Sequence, residues 1–430
     1  MENGGILLEK PGLKQPDTAK AKPSGLAGAD GLRAIACLSV IVHHLSQRIA
    51  MQLQPLPVRE LQAFLLLGSA GVSVFFVLSG FLLSYPFWRQ YLGEGAFPDI
   101  GKYALRRAAR IVPGYYASLI VCTLIVVLFH IPSEALWTRF LGGLTFTAGF
   151  HYITMFPNEI NGPFWSISFE VFCYLLMPVF MFGMFKLLGK KRSFAISMIY
   201  WMGVFAFIAF LNQLVHVFFT PDSVRRGWEF GIVGGAKYWM PNYNPIGFFG
   251  HFCMGIFAAG ITAGLFKKAE GYARFKKANG FDIIGAACFL GSIALLWGVR
   301  HAPEFSFSMQ SQPYFFPAYA MLIAGVLAVA PHSNWFGSLL DNRFFKFTAK
   351  VSFGLYIWHN LVIFIVASLW IKDYQVMRME DLKVWGGISL IILLASYILS
   401  VLSFRFIEKP VLDATAGDGS AFVALQTLKI

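Results

Sequence analysis

The sequence predicts an all-α, polytopic transmembrane helical bundle of about ten spans, with both termini in the cytosol. Three observations predict it. The chain of 430 residues is 57% hydrophobic and only 13% charged, against roughly 25% charged residues in soluble domains. Apolar runs long enough for a ~30 Å hydrocarbon core recur along nearly the whole chain, without the alternation of barrel strands. Most of the 35 lysines and arginines fall in the connecting segments that share a side with the N-terminus, the positive-inside signature. The net charge of +13 therefore reports orientation. No basic stripe with interleaved aromatics points to nucleic acid.

Spans are expected near 31–50, 69–88, 113–132, 164–186, 195–219, 245–266, 280–299, 313–331, 350–371 and 384–405. Residues 1–28 are polar, carry Lys10, Lys14, Lys20 and Lys22, and lack the apolar core of a secretory signal. They are expected to form a flexible cytosolic tail. Residues 29–410 are expected to form the transmembrane domain, and 411–430 a short cytosolic tail, with no second soluble domain expected. The stretch Leu136 to Phe150 is too short for a span and opens with Trp137 and Arg139; it reads as an interfacial or re-entrant piece. The five cysteines, Cys37, Cys122, Cys173, Cys253 and Cys288, lie in apolar stretches without metal-ligand spacing, so no metal site and no disulfide framework is expected. The long outer connection from Thr220 to Pro245 carries Trp228, Trp239, Asn242 and Asn244. It suits either selection of a polar acceptor or an aromatic belt.

The first span, Ala29 to Ala50, holds the most telling pattern. Arg33 and His44 are eleven positions apart, almost three whole turns, so they share a helix face ~16 Å apart along the axis. His43 points roughly 100° away from that face. Ionisable groups inside a span are costly and tend to mark a site, although two histidines satisfied within the bundle would also fit. The second span carries Ser79-Gly80, a hydroxyl and a close-approach position that could equally serve helix packing. Arg107 and Arg110 are i, i+3 neighbours on one face. Two forked guanidiniums at the cytosolic surface suit a phosphorylated ligand or an anchor on anionic lipid. Glu170 lies about 9 Å into the fourth span from its outer end, a depth compatible with His44. A carboxylate beside an imidazole would orient it and raise its basicity. His359, in Ser352 to Asn360, is expected to be structural. Glu408-Lys409-Pro410 closes the last span.

Taken together, Asp30-Gly31-Leu32-Arg33 with His44, Phe75-Phe76 through Ser79-Gly80-Phe81, Arg107 with Arg110, Trp165-Ser166 through Glu170, Ser352 through His359, and Glu408-Lys409-Pro410 resemble the acyltransferase family 3 membrane proteins. The resemblance keeps the family's order from residue 30 to 410. It implies an integral O-acyltransferase of the cell membrane that uses cytosolic acyl-CoA as donor substrate, with no bound cofactor. The acyl group is expected to be acetyl, and the acceptor a hydroxyl of a cell-surface or lipid-linked carbohydrate. A macrolide or another small metabolite is the alternative acceptor, and a transporter of acyl groups or lipid-linked sugars the alternative class. By the same resemblance His44 and Glu170 are the catalytic positions, and Arg33, Arg107, Arg110, Ser79 and Gly80 bind acyl-CoA. Val171 stands where many relatives carry a second carboxylate. The C-terminal hydrolase-like domain of some relatives is not expected here.

Overall fold

A computed structural model describes residues 26–189, 193–218, 240–266, 270–302, 317–370 and 379–416. Among them the chain is helical, with a single isolated bridge between Ile49 and Met379 in place of any strand. In chain order the helices are α1 (Ala29–Ser46), α2 (Leu56–Leu66), α3 (Gly71–Leu92), α4 (Ile100–Leu128), α5 (Leu136–Leu144), α6 (Trp165–Leu188), α7 (Phe194–Phe218), α8 (Pro245–Leu265), α9 (Glu270–Lys277), α10 (Gly280–Val299), α11 (Ala318–Val329), α12 (Phe336–Leu340), α13 (Arg343–Trp370), α14 (Leu382–Ser403) and α15 (Lys409–Ala416).

Every expected span coincides with a helix. Among the described residues, eight helical segments are long and apolar enough to cross a membrane. The two that fall short are α1, whose 18 residues include Asp30, Arg33, His43 and His44, and the shorter apolar segment Ala318–His332. Side chains exposed along α6 (Leu175, Val179, Phe182) and α14 (Leu390, Leu394, Ile398) are apolar and recur at helical spacing, as lipid-facing stripes do. With so many apolar crossings the chain is a multi-pass membrane protein. α5 has nine residues, about 13 Å of helix, and cannot cross. Of the long outer connection, 219–239, with Trp228 and Trp239, lies outside the described residues.

Two boundaries differ from the sequence reading. Leu26 to Gly28 belong to the packed body, not to a tail: Leu26 is buried in the core, and the Gly28 N–H donates to Asp341 Oδ2 at 2.9 Å. At the other end the helix of the last span continues past 405–410. It passes through a π-helical turn, Phe404–Glu408, into α15, which packs back on α4.

α1 is the seam of the molecule. Its Leu32, Ala36 and Val40 join the large core built on α3, α6 and α8. Its Cys37, Ile41 and Leu45 join a second cluster with Val351, Leu355, Val362, Ile363 and Ile392 of α13 and α14. At 100° per residue these are two adjoining stripes, and Arg33 and His44 belong to the stripe between them. The start of α1 lacks a side-chain cap of its own. Asp341, just after α12, supplies it by accepting from Gly28 N and Gly31 N, both at 2.9 Å. Gly31 is obligatory there, because a Cβ would lie 2.3 Å from Leu340 O. α12 is tied down in turn by Asp282, whose carboxylate accepts from the backbone N–H groups of Asn334, Trp335 and Phe336.

Candidate active site

His359 Nδ1 lies 2.9 Å from Leu355 O. A carbonyl can only accept, so that nitrogen carries the proton and the neutral ring presents a bare Nε2. That Nε2 lies 3.2 Å from His44 Nδ1, which is also 2.9 Å from Val40 O. The His44 proton therefore sits on Nδ1, shared between two acceptors, and His44 Nε2 is left with its lone pair. The two rings are 5.0 Å apart between centroids. His44 is only half-buried, so this face of the ring is accessible within the bundle.

His43 contrasts with it. Its Nδ1 donates to Leu66 O at 2.5 Å, its Nε2 accepts from Gln47 Nε2 at 3.1 Å, and it is 2% exposed. Both nitrogens are engaged in holding the α1–α2 corner.

At the other end of the stripe three guanidiniums converge. Arg33 feels the charges of Arg110 and Arg107. Neither Arg33 nor Arg107 makes a hydrogen bond or ion pair with any described residue. Arg110 does: its Nη1 lies 3.5 Å from Glu408 Oε2 and its Cζ sits 5.8 Å from the Phe353 ring centroid. Glu408 is 1% exposed and also accepts from Ser403 Oγ at 3.3 Å. The π turn that contains Glu408 aims this carboxylate at α4, a use typical of such turns.

Glu170 lies at a depth compatible with His44 but makes no hydrogen bond to it. Its Oε1 accepts from Ser79 Oγ at 3.0 Å and from the Tyr174 hydroxyl, and it lies within the fields of Arg107 and Arg33. The partner that orients His44 is His359, which the sequence reading treated as structural. Ser79 is thus the link between α3 and the carboxylate. Gly80 is a packing position: a Cβ there would meet Phe252 O at 2.1 Å, and one at Gly255 would meet Val77 O at 1.8 Å. These paired close approaches bring the α3 and α8 backbones together.

The Trp165-Ser166 motif is bound to the same helix as His359. Ser166 Oγ and the Tyr356 hydroxyl are 2.6 Å apart, and Tyr356 donates to Pro163 O at 3.2 Å. Tyr174, Tyr356 and Glu408 were missed as site residues. Tyr174 had a signal, since it is i+4 from Glu170; the other two lie within the motifs Ser352–His359 and Glu408-Lys409-Pro410, but their partners across the bundle were not legible. No group of three or more His, Cys, Asp or Glu side chains that could hold a metal ion occurs among the described residues. Asp341, between helices, is the one titratable group of the α1 mount outside a span. Burial pushes its carboxyl up, and the Gly31 and Gly28 N–H groups oppose this.

The arrangement defines a membrane-embedded site with an uncommitted imidazole nitrogen at one level and unpaired cations at another. The chain belongs to the acyltransferase-domain family, acyltransferase family 3, whose match covers residues 26–405. It is similar to the peptidoglycan O-acetyltransferase OatA of Listeria monocytogenes, 23% identical over 406 residues that cover 89% of this chain and 55% of the relative. It is also similar to the O-acetyltransferase OatA of Staphylococcus aureus (strain NCTC 8325), 24% identical over 402 residues covering 90% of this chain and 57% of the relative. The chain thus spans a little over half the length of these curated relatives. No solved structure matches it.

Proposed function

We propose that this chain is a membrane O-acyltransferase that moves an acyl group, acetyl in the first instance, from acyl-CoA to a carbohydrate hydroxyl, with His44 as general base. The observation that carries the reading is the bare Nε2 of His44, fixed by the Val40 O and His359 contacts, ~16 Å along α1 from the unpaired Arg33. The names of the relatives support O-acetyl transfer, and one of them names peptidoglycan as acceptor. The reading includes ten spans in the cell membrane with both termini cytosolic, which places Arg107 and Arg110 at the cytosolic surface.

Arg33 and Arg107 receive the phosphates of CoA, because a guanidinium without a protein partner grips phosphate oxygens bidentately. Arg110 joins them to the extent that Glu408 releases it. The thin pantetheine arm runs along the α1 stripe and presents the thioester near His44. The acceptor hydroxyl gives its proton to His44 Nε2 as its oxygen attacks the thioester carbonyl carbon. The tetrahedral adduct collapses by breaking the C–S bond, and the proton on Nε2 passes to the departing CoA sulfur. The imidazolium formed in between is stabilised through its Nδ1–H by His359 Nε2 and Val40 O. Glu170, held by Ser79 and Tyr174, balances the cation cluster and positions Arg33 and Arg107.

The test is incubation of the purified chain with acetyl-CoA and a glycan acceptor, following free CoA and acylated product together. Release of CoA in proportion to product is expected. Movement of acyl groups across vesicles without CoA release would replace the enzyme by a transporter.

A further inference from the structure

A polar cavity of about 210 Å³ lies between α5 and the start of α6, lined by Glu134, Arg139, Tyr152, Asn158, Glu159 and Gly162 among others. Its position relative to the cation cluster follows from α4. Asn158 Nδ2 donates to Thr123 Oγ1 at 3.3 Å, and Thr123 is sixteen positions beyond Arg107 on α4, ~24 Å along the axis. The cavity wall therefore belongs to the end of the bundle remote from Arg107.

The same wall is bolted to the helix that carries His359. Asn161 Nδ2 donates to Ile357 O at 2.8 Å, and Asn360 Nδ2 donates to Ile160 O at 3.3 Å, so the two bonds bracket His359 in sequence. The bond to a carbonyl fixes which way the Asn161 amide points. Its Oδ1 is then left buried without a donor, in a residue 0% exposed. A buried acceptor without a partner is costly, and Asn161 anchors the segment behind the cavity without lining it.

The lining chemistry is selective. Arg139 is committed, with Nε donating 2.6 Å to Phe156 O and Nη1 paired with Glu159. The exposed Glu134 has no described partner. The wall therefore offers carboxylate oxygens and aromatic faces with no spare cation. That combination takes hydroxyl donors on a neutral ring and repels anions. The volume lies below the ~300–1,000 Å³ of drug-sized pockets, so it suits one ring rather than a chain segment.

We infer that this cavity is the acceptor subsite, binding a single neutral sugar ring that reaches His44 from the end opposite to the donor. The inference rests on the acyltransferase reading above. The test measures both substrates' KM values in the full chain and in Glu134→Gln and Glu159→Gln. The acceptor probes are a neutral N-acetylglucosamine tetrasaccharide and an oligosaccharide of uronic acid. Each substitution is expected to raise the KM for the neutral glycan about tenfold, in line with hydrogen bonds to charged groups, while the KM for acetyl-CoA moves less than twofold. The wild type should acylate the uronic probe far less. Unchanged acceptor KM values in both variants, equal shifts for donor and acceptor, or preference for the uronic probe overturn the subsite and leave the acyltransferase reading standing. So does a wild type that cleaves acetyl-CoA but acylates neither probe. A wild type that cleaves no acetyl-CoA sinks the reading, and the subsite falls with it.

Discussion

Two groups of buried or half-buried arginines behave in opposite ways. Arg139 and Arg300 are fully used: Arg139 by Phe156 O and Glu159, Arg300 by Glu60 at 2.7 Å and by the Trp297 ring 4.1 Å below its Cζ. Arg33 and Arg107 have no such partner among the described residues, although they lie close enough to repel each other and Arg110. A guanidinium taken into a bundle is tolerated when a carboxylate and a carbonyl meet it. Two like charges held together without partners raise the free energy of the empty protein, and an anion lowers it. Burial alone therefore does not identify a ligand site; guanidiniums that no carboxylate meets directly do, here with Glu170 only in their field. The adjacent histidines repeat the lesson, since His43 has both nitrogens engaged and His44 one.

The largest effect should separate the histidines. A general base contributes typically 10²–10⁴-fold to rate, so His44→Ala is expected to lose at least a hundredfold in kcat while still binding acetyl-CoA. His43→Ala should reduce the yield and melting temperature of the protein, with kcat of the surviving fraction within about tenfold of wild type. Turnover of the two purified variants side by side decides it, and a dead His43→Ala with an active His44→Ala would reverse the assignment.

Next comes the orienting ring. His359→Gln retains an acceptor near His44 Nδ1, whereas His359→Leu removes it. kcat is expected to fall roughly tenfold or more in the leucine variant, with partial rescue in the glutamine variant and little change in the acetyl-CoA KM. Equal losses in both would assign His359 to packing.

The arginine comparison is sharpened by donor kinetics. Arg33→Ala and Arg107→Ala should each raise the acetyl-CoA KM by about tenfold or more, the loss of a charge-assisted bond. Arg139→Ala should leave it unchanged and instead lower thermal stability by about 1–2 kcal/mol, the loss of the charge-assisted bond to Phe156 O, since the exposed Glu159 is solvated once unpaired. Arg110→Ala should fall between the two sets, because Glu408 already holds part of its charge. A donor KM insensitive to Arg33 and Arg107 would return these residues to an anchor on anionic lipid.

The smallest effect concerns the mount of α1. Asp341→Asn keeps part of the cap on Gly28 and Gly31, and Asp341→Ala removes it. The alanine variant is expected to cost about 1 kcal/mol of stability, typical of a lost helix cap, and hydrogen exchange at the first turn of α1 should accelerate more than elsewhere.

Legible in the chain alone were the helical class, the positions of the long apolar helices, and the stripe that unites Arg33 with His44; the short helices α2, α9, α12 and α15 were not. The legible features follow from composition and from a 3.6-residue period, which are local properties of the chain. Even the non-crossing character of Leu136 to Phe150 was legible, as a matter of length. Only the tertiary structure decided which imidazole stands beside His44, because His359 lies 315 positions away and no periodicity connects α1 to α13. It separated Glu170 from His44 for a related reason. Depth in a membrane is one coordinate, and two side chains at similar depth can face different neighbours; Glu170 turns to Ser79 and Tyr174. It also set Gly80 against the α8 backbone and drew Arg110 towards Glu408. Each of these choices depends on rotation about a helix axis relative to a second helix, and that angle is set by side-chain packing between segments far apart in the chain.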